Sequence, residues 1–197
     1  MAEFKNSKTA LNLMKAFAGE SQARNRYTYY AKVATKQGYM QIANIFMETA
    51  ENEKEHAKLF LKRLLEKGME GEAIVLNDAA YPVAFSDDTL KNLEYAAGGE
   101  LEEWSILYPE FAKVAEEEGY KDIAITFTMI GKVEKEHEAR YRKLAKNVKE
   151  HTVFKKDGKV FWKCLNCGYI TENIEAPEEC PACKHPKSYF EIHLENY

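Results

Sequence analysis

The chain has 197 residues, with 28 Lys and Arg against 32 Asp and Glu and a formal net charge of -4; the mixed charges offer no groove for nucleic acid and no polybasic patch for a membrane. Its length suits one good-sized domain with a small appendage, because single cores typically take about 100–150 residues. No apolar run approaches the roughly 20 residues of a membrane span, and the N-terminal stretch lacks the basic-then-apolar layout of a secretory signal, so a cytoplasmic protein is expected.

From about residue 8 to residue 148 the sequence is rich in Ala, Leu, Glu and Lys, and its apolar residues recur every three or four positions. That period predicts four long amphipathic helices. The first places Leu13, Phe17, Glu20 and Tyr27 on its inner face and ends at the turn around Gly38, a residue suited to the left-handed position that stops a helix. The second carries the stripe Ile42, Phe46, Thr49, Glu53, His56 and Phe60. A connection from Met69 to Ser86 leads to "SDDTL", whose polar residues are expected to cap the third helix. There Leu93, Ala97, Glu100 and Glu103 face inward. After a turn at Gly119, the fourth helix shows Ile123, Phe127, Ile130, Glu134, His137, Tyr141 and Leu144.

Beyond Lys149 the pattern changes to short β-branched and aromatic runs, "HTVFKK", "KVFWKC" and "SYFEIHL", with a turn signal between the first two. The expected fold is therefore mainly α, a four-helix bundle over residues 1–148 followed by a small strand-and-loop domain over 149–197. So small a module needs a metal or disulfides to stay folded.

Gly38, Tyr39, Ile42, Ala43, Phe46, Glu53 and His56 reappear 81 positions later as Gly119, Tyr120, Ile123, Ala124, Phe127, Glu134 and His137. The bundle reads as a duplicated helical hairpin, which requires one long crossover. Helices of about 28 residues are roughly 42 Å long, and the Met69–Ser86 connection reaches about 60 Å when extended. It can cross within one chain, or exchange a hairpin with a partner chain.

Glu20, Glu53, His56, Glu100, Glu103, Glu134 and His137 occupy positions where apolar residues belong. Carboxylates isolated in such an interior are strongly destabilising, and divalent cations supply the missing positive charge. A Glu from each of two helices plus Glu-x-x-His from the other two is the ligand set of di-iron and di-manganese carboxylate bundles. A spacing of three puts each Glu and His on one face, so Glu53 and Glu134 are expected to bridge two ions. His56 and His137 then bind one ion each, and Glu20 and Glu100 are terminal ligands. Glu103 is a seventh candidate that exchanges with His56 as the metal oxidises. Tyr27 and Tyr108 are expected to orient ligand carboxylates. They are 81 apart whereas Glu20 and Glu100 are 80 apart, so one extra residue in the third helix predicts a π-bulge. Tyr29, Tyr30 and Tyr141 read as packing or surface residues.

Cys164 and Cys167, then Cys180 and Cys183, form two CxxC pairs, a spacing that in a reducing cytosol favours a metal thiolate over disulfides. Gly168 lets the chain turn so that amide hydrogens face sulfur, and Pro181 stiffens the second knuckle. Spacing leaves zinc and iron equally open. His185 and His193 read as surface residues.

With both sites in view, nearly the whole chain resembles the rubrerythrin family, a ferritin-like di-iron bundle followed by a rubredoxin-like domain; "CGYITENIEAPEECPACKHPKSYFEI" carries the tail's share of that resemblance. It departs from free-standing rubredoxins at Lys184, where they usually have glycine. The resemblance implies iron at both places. It implies di-iron ligands Glu20, Glu53, His56, Glu100, Glu103, Glu134 and His137, and tetrathiolate ligands Cys164, Cys167, Cys180 and Cys183. It also implies a non-haem peroxidase that reduces hydrogen peroxide, fed from NADH through a separate reductase and often rubredoxin, in head-to-tail homodimers. The alternative is a ferroxidase or iron-handling protein with a structural zinc ribbon.

Overall fold

The computed structural model describes residues 4–196; the first three residues of the expected bundle domain and Tyr197 of the tail domain lie outside them. α1 (Lys8–Lys36) and α2 (Met40–Glu66) form the first hairpin. The second pairs a composite helix, α3 (Thr89–Glu102), a π segment (Glu103–Leu107) and α4 (Tyr108–Glu117), with α5 (Lys121–Lys149). The extra residue expected between Glu100 and Tyr108 is absorbed by that π segment.

Both hairpins turn in the same way. Gly38 and Gly119 take φ of 81° and 89°, and the next amides reach back, Tyr39 N to Ala34 O at 2.9 Å and Tyr120 N to Ala115 O at 2.7 Å. This closes the last carbonyls of each helix with a left-handed residue that costs glycine nothing. Asp88 caps α3, its carboxylate accepting from Lys91 N at 3.1 Å. Ser86, from the same predicted signal, instead accepts from Asp88 N.

The crossover runs along α1 within this chain. Asp78 pairs with Lys15 at 2.8 Å, the Tyr81 hydroxyl donates to Lys15 O at 3.1 Å, and the Tyr30 hydroxyl donates to Ala84 O at 2.6 Å. At its end Gln37 donates to Asp87 O and accepts from Thr89 N.

The bundle core divides into two apolar clusters. One gathers Tyr27, Tyr30, Phe46, Leu93 and Tyr141; the other gathers Leu13, Phe60, Tyr108, Phe127 and Ile130. The inward acids and imidazoles come from the turns of each stripe that lie between these two groups. Tyr30 and Tyr141 are core residues, while Tyr29 lies on the surface.

The tail forms a three-stranded antiparallel sheet from β1 (Lys155–Cys164), β2 (Ile170–Glu175) and β3 (Phe190–Ile192) in the order β2-β1-β3. Its small core is Trp162, Ala176 and Phe190 with Cys164 and Cys180. Phe154 stacks on Tyr39 at 6.1 Å between ring centroids, joining the sheet module to the Gly38 end of the bundle. Among the described residues no helix is long and apolar enough to cross a membrane.

Candidate metal centres

The inner faces of α1, α2, α3 and α5 converge on two overlapping groups of potential ligands. One contains Glu20, Glu53, His56 and Glu134, the other Glu53, Glu100, Glu134 and His137, and within each group the donor atoms lie within 4.8 Å of one another. Glu53 and Glu134 belong to both. His56 Nδ1 stands 2.8 Å from Glu53 Oε2 and 2.9 Å from Glu134 Oε1; His137 Nδ1 stands 2.8 Å from Glu134 Oε2 and 3.2 Å from Glu53 Oε1. Each shared carboxylate thus offers one oxygen to each side. Glu20 Oε2 completes the first group at 3.9 Å from His56, and Glu100 Oε1 the second at 3.9 Å from His137.

These spacings suit metal ions. Bonds of about 2.1 Å at right angles put neighbouring donors about 3.0 Å apart. All four shared or terminal carboxylates are at most 1% exposed, and Glu20 Oε2 and Glu100 Oε2 are buried with no hydrogen-bond partner among the described residues. Burial first, then the charges of Glu53 and Glu134, pushes the Glu20 and Glu100 carboxyls well above the usual range. Burial opposes ionisation of Glu53 as well, but hydrogen bonds from His137 and His56 hold it at about 2. Burial also disfavours charged imidazoles, yet Glu134 and Glu53 raise His56 to about 10 and His137 to about 9. Among the described residues, the two imidazoles are the cationic groups that join this layer, and they face four acids. Two divalent ions supply that charge without protons.

Tyrosines tie the terminal carboxylates across the bundle. Tyr27 of α1 donates to Glu100 Oε1 of α3 at 2.6 Å, and Tyr108 of α4 donates to Glu20 Oε1 of α1 through a very short contact. The one residue absorbed by the π segment lets Tyr108 reach that position. Glu103, within the π segment, is outside both groups. It is half-buried and approaches α1 at Gly19, with burial and the charges of Glu134 and Glu53 raising its carboxyl.

In the tail, all four cysteines face one another and are free. Cys164 and Cys183 Sγ are 3.7 Å apart, as are Cys167 and Cys180 Sγ, far beyond a disulfide. A tetrahedral ion with bonds of about 2.3 Å sets sulfurs about 3.75 Å apart. The His185 amide draws the Cys183 thiol down to about 6. The Tyr169 amide favours the Cys167 thiolate, but the neighbouring sulfurs push Cys167 up to about 12. Four thiolates this close need a cation. His185 and His193 are half-buried rather than fully exposed; His185 packs on Tyr189, and neither joins the cysteine group.

Residues 12–145 match the rubrerythrin family, and residues 162–191 match the rubredoxin-like domain of rubrerythrin. The chain belongs to the rubrerythrin family. Rubrerythrin-1 of Clostridium acetobutylicum is 59% identical over the whole of both chains. The fully reduced, all-ferrous state of nigerythrin is similar at 35% identity and a TM-score of 0.63, over 95% of this chain and 90% of that one. Bacterioferritin of Desulfovibrio desulfuricans, solved with its diiron site in different catalytic states, is similar at 25% identity and a TM-score of 0.65, over 76% and 85%. The fold is thus the ferritin-like bundle with a rubredoxin-like tail expected of a rubrerythrin. The Glu/His layer fits a di-iron centre and the four cysteines fit a rubredoxin-type iron.

Sequence reasoning did not single out Gly19, Arg26 or Tyr81, which border the layer from outside. Gly19 alone left a local sign, a glycine in mid-helix next to Glu20.

Proposed function

We propose that this rubrerythrin is a non-haem di-iron peroxidase that converts hydrogen peroxide, two electrons and two protons into two water molecules. The observation that carries the reading is that Glu53 and Glu134 belong to both groups of potential ligands. Two adjacent ferrous ions supply together the two electrons that O–O cleavage requires. In this reading Glu20 and Glu100 would hold the ions as terminal ligands, and His56 and His137 would each offer Nδ1 to one of them. Tyr27 and Tyr108 hold Glu100 and Glu20 in place and keep hydroxyl protons beside the site. Glu103, which lies outside both donor groups, would be free to take the place of His56 on an ion that gains positive charge.

Cys164, Cys167, Cys180 and Cys183 would hold an iron that supplies one-electron chemistry, tuned by amide hydrogen bonds to sulfur. The electrons come from NADH through a reductase or rubredoxin, in a cytoplasmic homodimer arranged head to tail. The functional division falls at residue 148, with the bundle as the catalytic unit and 149–197 as the electron-transfer unit.

Steady-state turnover tests the reading. Purified without air and given an NADH-dependent donor system, the protein is expected to consume one NADH per hydrogen peroxide over many cycles. Peroxide loss that stops after one equivalent per di-iron site, with ferric mineral accumulating instead, would favour an iron-handling role.

A further inference from the structure

A cavity of about 350 Å³ lies between α1, the crossover and the composite third helix. Its inner wall includes Glu103 and Tyr108, and Tyr108 donates to Glu20 of the buried layer. Its outer wall is the crossover at Tyr81, held down by the Tyr81 hydroxyl on Lys15 O and by the Asp78–Lys15 pair. Gly19 and Gly99, each immediately before a carboxylate of the layer, also line it. Both lie inside helices with ordinary helical φ, where glycine is the least favourable residue after proline. No turn requires them. A Cβ placed on Gly19 would sit 3.9 Å from both Glu103 Oε1 and Tyr81 Cε1, so a methyl group would just touch both and a longer side chain would fill the space.

Resting on the peroxidase reading, we propose that this cavity is the passage by which hydrogen peroxide reaches the di-iron layer, with Gly19 setting its bore and Tyr81 forming its roof. The competing opening is the groove between α2 and α5 that passes Asn52, Val133 and His137. It ends on an imidazole. The cavity under the crossover reaches Glu103 and Tyr108, the latter in contact with Glu20 of the layer, and two helical glycines keep it open. Lys15 and Arg26 share the lining with Asp78, Glu102, Glu103 and Glu110, a charged wall that favours a small, neutral, polar molecule over an apolar one.

Azide binding to the oxidised, fully metallated full-length protein reads passage without turnover, and is followed by visible absorption. Gly19→Leu is expected to slow azide association by at least about tenfold while iron content and helical circular dichroism stay at wild-type levels. Tyr81→Ala, which opens the roof from the other side, is expected to raise the oxidation rate with tert-butyl hydroperoxide relative to hydrogen peroxide. Azide association unchanged in a Gly19→Leu protein that holds both irons overturns the proposal. So does slowing by Val133→Trp in the α2–α5 groove with none by Gly19→Leu, or a Tyr81→Ala protein with the wild-type preference between the two peroxides. If the wild type fails to turn over peroxide, the peroxidase reading falls, whereas the azide comparison still decides the passage.

Discussion

Tyr27 on the first helix places its hydroxyl 2.6 Å from Glu100 Oε1 on the third, the reverse of the tie by which Tyr108 on the third reaches Glu20 on the first. Each hairpin therefore supplies the donor that holds the other's terminal carboxylate. Both tyrosines are almost wholly buried. Burial first, and then the nearby carboxylates, raise both phenols well above their ordinary range, so they remain donors at neutral pH.

Replacing Tyr27 by Phe keeps the ring packing against Phe46 and Tyr141 but leaves Glu100 without its donor. Loss of such an outer hydrogen bond typically costs about 10–100-fold in metal affinity or activity. Chelator competition should show iron leaving the Tyr27→Phe bundle that much more readily, with helicity unchanged. Wild-type iron retention and turnover would mean that the ring matters and the hydroxyl does not.

Glu103 stands outside both donor groups in this arrangement. Glu103→Ala should therefore still bind two irons per bundle, yet turn over peroxide about tenfold or more slowly because the oxidised state loses a carboxylate. Elemental analysis and steady-state kinetics check the two halves of that statement separately; unchanged kinetics would remove Glu103 from the cycle.

Glu118, at the end of α4, caps α1 from a distance of 110 positions in sequence. Its carboxylate accepts from Lys8 N at 3.0 Å, Thr9 N at 2.8 Å and the Thr9 hydroxyl at 2.6 Å. Although some desolvation opposes ionisation, the bonds from Thr9 and Lys8 hold its pKa below the ordinary value. The sign follows: a depressed folded pKa stabilises the fold above the unfolded carboxyl value of about 4.3, and that contribution disappears as pH falls through the lower folded value. Glu118 is exposed, so solvent screening limits what its charge contributes: Glu118→Gln should cost about 0.5 kcal/mol at neutral pH, and the deficit should shrink in acid. Denaturant titrations at pH 7 and pH 3 measure it, and an equal deficit at both would dismiss the charge.

Lys184 sits at φ 64°, a left-handed position strained for a residue with a Cβ. Its exposed ion pair with Glu179 at 3.1 Å is of a kind that contributes little. Lys184→Gly relieves the strain, partly offset by the greater freedom of glycine in the unfolded chain. The tail should gain roughly 0.5–1 kcal/mol, seen as a higher temperature for thermal bleaching of the ferric thiolate colour. A lower bleaching temperature would show that the lysine side chain stabilises more than its backbone costs.

Whatever depends on period and spacing was legible in the order of residues alone. Glu53 and His56 continue the stripe of Phe46 and Phe60, Glu134 and His137 continue that of Phe127 and Tyr141, and all four are buried. The 3.6-residue repeat is local, so it places donors on an inner face before any helix packs. The same holds for the four cysteines, the hairpin turns at Gly38 and Gly119, and the extra residue that becomes the π segment. Which oxygen faces which imidazole, the crossing of the tyrosine ties between hairpins, the place of Glu103 outside both donor groups, and the cavity roofed by the crossover beside Gly19 emerged with the packed fold. Those relations join residues far apart in sequence, such as Tyr27 with Glu100 or Thr9 with Glu118. They depend on the register in which packed helices and a long connection settle against one another, which no local pattern encodes.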